Sequence, residues 1–461
     1  MTLAITGISA IKEPTAAGVK HHLQPLLAFA EYKIAVDGGA GKHVGVFVGA
    51  TGGMRALLNQ DDDPRKREIE GQVQAVIQSY NLAQADKVDY QTISGRVEGV
   101  FGWVTANYKG NVGNNAAAEF PIHPQQVIGG RTVRGCGYVE MGGQTMQIAF
   151  DFGLAAEGTI TISIGAEFNV VAYCWENRGA DATWQQHRNN LYDGSAKPQK
   201  RKHLNPGLNR NAARIDNCLP TWATDQASPN PTPGDNGYTG SGLFVAGVHE
   251  CLWLAGCYSP TALGTFEPRA PGFLRKDLPA DVGNTARALK RWVGGAVFYH
   301  GPTNLIGEVA YAPITLLMEA AELQTGDHAN YHARRGVGVN ATSESRFCRA
   351  VFNAVYTSII LHNGFGMKIH SDDTAQTNSN AVRNALAPVQ RDTWPNAGVP
   401  QPPPPLKALL EACVTNNAGD VDCKTYEVIN PNNKPWALGA AVIYAHYPSN
   451  TRDDFKLLVK R

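Results

Sequence analysis

The chain has 461 residues, of which 41 are Lys or Arg and 40 are Asp or Glu, for a formal net charge of +1. That length exceeds what one hydrophobic core organises and points to two domains. The even charge balance, with no basic stripe to hold a phosphate backbone, speaks against a nucleic-acid binder. Nor does any apolar run reach the roughly 18 residues that would cross a bilayer as a helix.

Taken in chain order, Leu3 and Ile5 alternate with polar or small neighbours and predict a short strand over Met1–Thr6. Thr15–Tyr32 reads as a helix in which Pro25 is a site for a kink. Val44–Ala50 reads as a buried strand with a glycine-rich exit. Helical spacing of Ile69, Val73, Val76 and Ile77 follows, over Arg65–Leu82. Strand, helix, strand, helix predicts an α/β sheet. From Ile93 to Tyr173 the pattern is strands and glycine turns, with one helix starting near Phe101. Asp181–Asp235, rich in Asn, Gln, Pro and Arg, reads as a long loop-rich insertion. Helical patterns return over Gly247–Leu254, Ala310–Leu323 and Ser343–His362. Pro402–Pro405 stiffens a turn before a short helix at Leu406–Cys413, and apolar Trp436–Tyr447 suits either a buried strand or a helix.

The eight cysteines (136, 174, 218, 251, 257, 348, 413 and 423) include no C-x-x-C pair and no zinc-finger spacing. Their even number and wide scatter favour structural disulfides, hence an oxidising compartment, over buried free thiols. Cys251/Cys257 and Cys413/Cys423 could each close a short loop. No secretion-signal pattern opens the chain, and the one N-x-[ST] site, Asn340 to Thr342, fits a surface loop. His21, His22, His300 and His370 have no ligand-like spacing, and the adjacent pair His21–His22 points apart on a helix.

The chemistry gathers in glycine-rich turns. Gly49–Arg55 (GATGGMR) follows a strand and precedes a helix, and Gly142-Gly143-Gln144-Thr145-Met146-Gln147 follows the strand Gly137–Met141. Glycine lets the backbone approach an anion, and successive N–H groups cradle phosphate. Between the turns, Glu98 stands in a glycine-flanked segment before an aromatic helix start, where a carboxylate suits a general base. Trp103 and Tyr108 read as core.

Together these segments resemble the apyrases, the nucleoside tri- and diphosphate hydrolases of the actin-like ATPase superfamily. ATGGMR resembles that family's ATAGMR, EGVFGWVTANY its EG-x-x-GW-x-x-x-NY, and GYVEMGGQTMQIAF its GALDLGGASTQIAF. Pro435–Ala441 resembles its closing W-x-LG-A segment, and the order and spacing agree along nearly the whole chain. The resemblance implies an α/β fold of two ribonuclease-H-like lobes with mixed twisted sheets and a cleft between them. The first lobe would take residues 1–95 plus 430–461, and the second 96–429 with the insertion near 181–235. By the same likeness Glu98 is the base, with Gln147 and Thr145 beside it to position the attacking water. Thr51, Gly52, Gly142, Gly143 and Gln144 would lie at the phosphates, and Glu140 would hold Ca²⁺ or Mg²⁺ through its water shell. The family clamps its nucleobase with aromatic rings; Trp292, Phe298 and Tyr299 are loose candidates.

Three departures stand out. Glu140 replaces an aspartate, while Gln144 and Met146 replace smaller residues in the phosphate turn. The family's first motif, D-x-G-[ST]-[ST]-x-[TR], finds no room before Gly7, and Asp37-Gly38 reads as a turn joining helix to strand. Two readings follow. One is a nucleoside di- and triphosphate hydrolase of the extracellular space or secretory-pathway lumen. The other is a catalytically inactive structural or binding module, a homo-oligomer assembled by strand exchange through Met1–Thr6.

Overall fold

The computed structural model of the chain describes residues 15–36, 46–58, 64–80, 88–108, 120–192, 277–289, 291–298, 352–361 and 436–446, with shorter pieces from 214 to 428. In the first part, α1 (Ala16–Val36), α2 (Gly52–Leu58) and α3 (Pro64–Gln78) accompany two parallel strands, β1 (Val46–Ala50) and β2 (Val88–Thr92). The α1 helix runs through Pro25 and ends four residues beyond the expected limit. Val19, Leu23 and Leu27 of α1 pack on Ile69, Val73 and Ile77 of α3, above Ala50 and Met54. Ile69, Val73 and Ile77 are residues whose helical period the sequence displayed.

The long helix α4 (Gly95–Asn107) leads into the main sheet. Its strands are β5 (Gly137–Met141), β6 (Thr145–Asp151), β7 (Thr159–Ser163), β8 (Glu167–Glu176), β12 (Trp292–Ala296), β13 (Ala310–Tyr311) and β14 (Tyr426–Val428). The order is β13-β14-β12-β5-β6-β8-β7. β12 runs parallel to β5 and β14 parallel to β12, whereas β6 is antiparallel to both β5 and β8. The five strands β8-β6-β5-β12-β14 thus have the ribonuclease-H-like order, with β6 alone reversed, and β7 and β13 are antiparallel additions at the edges. Smaller pairs are β3 (Gln126–Ile128) with β4 (Arg131–Val133), and β9 to β11 (Arg214–Asp216, Thr224–Asp225, Tyr238–Gly240).

Both faces of the main sheet are covered at its centre, so β6 is buried along its whole length, whereas the edge strand β7 alternates buried with exposed residues. Val139, Met141, Ile148 and Phe150 face one core with Val282 and Ala286 of α6 (Ala280–Ala288) and with α7 (352–361). Tyr138, Ala149, Val170 and Ala172 face the other, beneath α4 and the closing helix α8 (Trp436–His446). A row of glycines lets α4 sit close to the sheet: a Cβ on Gly102 would fall 1.9 Å from the Tyr138 ring. On its outer side α4 meets α8, where the Gly439 N–H donates to Thr105 Oγ1 at 2.8 Å.

Several expectations are corrected. α4 begins at Gly95 rather than near Phe101, because Ser94 caps it by accepting from the Val97 N–H. The insertion expected to be loop-rich opens with a helix, α5 (Ala180–Tyr192), whose first turn is capped by neighbouring carbonyls. Ala310–Tyr311 is a strand because it pairs with β14, and Trp436–His446 resolves as a helix. Cys174 and Cys251 carry free thiols; Cys251 is fully buried among apolar groups as a small hydrophobe, not bridged to Cys257. Trp292 and Phe298 are core residues, Trp292 packed edge-on against Phe150, so neither is open to a nucleobase. Trp103 and Tyr108 are buried as expected. His21 is exposed and His22 half-buried. Met1–Thr6, Asp37-Gly38, His300, Asn340, His370, Pro402–Pro405, Leu406–Cys413, Tyr299 and the remaining cysteines beyond 251 lie outside the described residues. Among the described residues no helix is long and apolar enough to cross a membrane.

Candidate active site

Strand register builds the site. Glu140 of β5 is paired with Gln147 of β6, and Gln147 in turn with Cys174 of β8. One step along, Thr145 is paired with Glu176. Side chains that alternate along a strand align across neighbours, so these five residues share the face covered by α4. The first turn of α4 brings Glu98 down onto that face, with Gly99 close above β6: a Cβ there would just touch Gln147 Cβ, at 3.5 Å.

Gln147 is buried and donates through Nε2 to Glu98 Oε2 at 2.9 Å and to Thr145 Oγ1 at 2.8 Å. Its Oε1 is buried with no hydrogen-bond partner. Arg55, carried by α2, supplies the counter-charge. Its Nη2 donates to Glu98 Oε2 at 3.0 Å and to Thr145 Oγ1 at 3.4 Å, its Nη1 to the Ile93 carbonyl at 2.7 Å, and its Nε to Glu176 Oε1 at 2.8 Å. The Cys174 thiol donates to Glu176 Oε1 at 3.5 Å. Tyr138 donates its hydroxyl to Glu140 Oε2 at 3.0 Å.

Burial sets the charge states. Glu98 is raised above the usual carboxylate range by desolvation, which the Arg55 guanidinium only partly offsets. Glu140 is pushed up to about 8 by burial first and then by repulsion from Glu98, with the Tyr138 hydroxyl pulling the other way. Burial works against the charge on Arg55, but Glu98 and Glu176 outweigh it and the guanidinium stays protonated. Burial, and then Glu176, hold the Cys174 thiol well above its ordinary range, so it stays protonated as the donor seen here.

The turn between β5 and β6 closes through the Gly142 N–H to the Thr145 carbonyl at 2.9 Å. Its three carbonyls all accept from the start of α5: Gly142 from Ala180, Gly143 from Asp181 and Ala182, and Gln144 from Gly179. A Cβ on Gly143 would stand 2.2 Å from Asp181 Oδ2, so a side chain there would displace that carboxylate. Gln144 donates to Asn177 Oδ1, a residue in the left-handed region at φ 58°. The other glycine turn abuts this one, and a Cβ on Gly52 would lie 2.8 Å from Thr145 Cγ2.

The structure therefore gathers Glu98, Gln147, Thr145, Glu140, Gly142, Gly143, Gln144 and Gly52 in one place, with Thr51 next to Gly52. Sequence reasoning missed Arg55, Cys174 and Glu176 as members. Arg55 stood in plain view at the end of GATGGMR; Cys174 and Glu176 carry no local signal and are found through strand register. Asn107 and Trp103, inside the same motif as Glu98, do structural work. Asn107 Oδ1 accepts from the Cys136 N–H at 2.8 Å, and Trp103 Nε1 donates to the Cys136 carbonyl at 2.8 Å.

Comparison with known proteins gives several matches. The GDA1/CD39 (nucleoside phosphatase) family matches residues 2–193. Ectonucleoside triphosphate diphosphohydrolase 3 of Mus musculus is 36% identical over 107 residues, 23% of this chain and 18% of that protein. The Golgi apyrase of Saccharomyces cerevisiae is 29% identical over 145 residues, 31% of this chain and 21% of that protein. These alignments span less than a quarter of either relative. A crystal structure of nucleoside triphosphate hydrolases from Neospora caninum covers 75% of this chain and 72% of its own, at 11% identity and TM-score 0.43.

Proposed function

We propose that this chain, which belongs through residues 2–193 to the GDA1/CD39 (nucleoside phosphatase) family, hydrolyses nucleoside tri- and diphosphates with Glu98 as general base. The observation that carries the reading is the buried, unpartnered Oε1 of Gln147 beside a carboxylate of raised pKa. A water donating one proton to Gln147 Oε1 and the other toward Glu98 has its lone pair free for the terminal phosphorus. Glu98 takes the proton as the new P–O bond forms, and the bond to the bridging oxygen breaks in line, its electrons leaving with the shorter nucleotide. The raised pKa of Glu98 makes it a stronger base than an exposed glutamate. Thr145 holds the amide of Gln147, so the acceptor cannot rotate away from the water.

A divalent cation, Ca²⁺ or Mg²⁺, fits this donor set. Burial and then the neighbouring Glu98 raise the pKa of Glu140, and burial, with a smaller push from Glu176, raises that of Glu98, as in a site short of positive charge. Among the described residues no cluster of three His, Cys, Asp or Glu could encage a metal, so Glu140 would hold the ion through its water shell. The ion supplies charge neutralisation on the phosphate oxygens. The relatives named as a Golgi apyrase and an ectonucleoside enzyme support a secretory-pathway or extracellular setting.

Phosphate release from ATP and ADP with Ca²⁺ or Mg²⁺, by this chain and by Glu98→Ala, tests the proposal. Turnover lost in the variant supports it. No release above the Glu98→Ala background sinks it and leaves the inactive binding module as the reading.

A further inference from the structure

The anchoring of Arg55 singles out a residue that touches no reacting group. The guanidinium is a rigid planar fork, so fixing two of its nitrogens fixes the direction of the third. Its two shortest contacts are the Ile93 carbonyl at 2.7 Å and Glu176 Oε1 at 2.8 Å, while those to Glu98 and Thr145 are longer, at 3.0 and 3.4 Å. The first pair therefore sets the plane, and Nη2 is aimed at the base as a consequence. The surroundings leave it little alternative: a Cβ on Gly95 would lie 2.0 Å from Cys174 Sγ and 3.2 Å from Arg55 Nη2. The Arg55 side chain is 11% exposed, so a lost partner on Nε is replaced only poorly by water. Of the two anchors one is backbone. The other is Glu176, the last residue of β8, on the same sheet face as Gln147 but at its rim, where it is 37% exposed.

We propose that Glu176 is a positioning residue for the hydrolysis inferred above: by holding Arg55 Nε it fixes Nη2 on Glu98 and Thr145, and with them the geometry of the base. This assignment rests on that reading of the site. Arg55 comes from α2 and Glu176 from the last residue of β8, so the pair also ties the first glycine turn to the main sheet. Cys174 steadies the anchor by donating its thiol to the same carboxylate oxygen.

The test compares kcat and KM for ATP in the wild-type chain, Glu176→Leu, Glu176→Gln and Arg55→Ala, and in the double variant Arg55→Ala/Glu176→Leu, each corrected for its folded fraction. Glu176→Leu removes the acceptor and lowers kcat roughly 10- to 100-fold with KM nearly unchanged, the scale of a misplaced catalytic group. Glu176→Gln keeps an acceptor for Nε and restores most of kcat. In the Arg55→Ala background Glu176→Leu costs nothing more, because there is no guanidinium left to aim. A purely structural role would give an additive loss and no rescue by glutamine. Wild-type turnover with an unchanged kcat in Glu176→Leu, or additive losses, overturns the assignment alone; absence of wild-type turnover overturns the hydrolysis reading and the assignment with it.

Discussion

The contact between α4 and α8 offers a sharp test of the packing. At Gly439 an added Cβ would stand 1.9 Å from the Phe101 carbonyl oxygen and 2.9 Å from Thr105 Oγ1. An ordinary carbon–oxygen contact is about 3.3 Å, so Gly439→Ala forces the two helices apart by roughly 1.4 Å. Backbone cannot swing aside as a side chain does. The separation strains the packing of Ala440, Val442 and Ile443, all buried in the core beneath α4. Overpacking of this kind costs about 1–3 kcal/mol. Losing the bond from the Gly439 N–H to Thr105 adds about 1 kcal/mol, and the better helix propensity of alanine returns about 1 kcal/mol. The net expectation is a loss of about 1–3 kcal/mol, read as a lower midpoint in denaturant titration followed by circular dichroism. Gly71 of α3 is the internal control, since a Cβ there meets nothing within 4 Å. Gly71→Ala gains about 0.5–1 kcal/mol from helix propensity alone. If Gly439→Ala is as stable as the wild type, the close approach of α8 to α4 is wrong.

Further expectations concern charge. Glu140 binds its proton more tightly folded, at about 8, than as a free glutamate at 4.5, so stability falls as pH rises between those values. Glu140→Gln flattens that slope, which thermal melts from pH 5 to 9 would register, and an unchanged slope would remove Glu140 as its cause. Because a cation favours the ionised carboxylate, Ca²⁺ or Mg²⁺ should raise the melting temperature more at pH 8 than at pH 5. Asp151 is fully buried and accepts from both the Arg134 N–H and its Nε at 3.0 Å and from the buried Asn169 N–H at 3.3 Å, so Asp151→Ala strands backbone donors and costs about 3 kcal/mol by urea titration.

The fold was legible wherever one periodicity served one environment. The helix over Ile69, Val73, Val76 and Ile77 shows its buried face in the sequence, and so does the strand at Gly137–Met141. The limits failed where caps decide. Ser94 starts α4 six residues before its first aromatic, and the Gly143 carbonyl starts α5 inside a stretch whose composition spoke of loop. Glu98, Gln147 and Thr145 were readable because their spacing follows a motif. Glu176 was not, for its partner Arg55 lies 121 residues away and the link exists only through β6–β8 register. Cys251 misled for a related reason: a buried thiol looks the same in sequence as half of a disulfide.

The carbonyls of Gly142, Gly143 and Gln144 are all spoken for by the start of α5. In a trans peptide the N–H points opposite to the C=O of the same unit. The amides of Gly143, Gln144 and Thr145 are therefore turned away from the helix, three dipoles combed in one direction by a neighbouring element. The helix spends its own positive end in aligning them, and the turn rather than the helix is left as the place where an anion would feel that field.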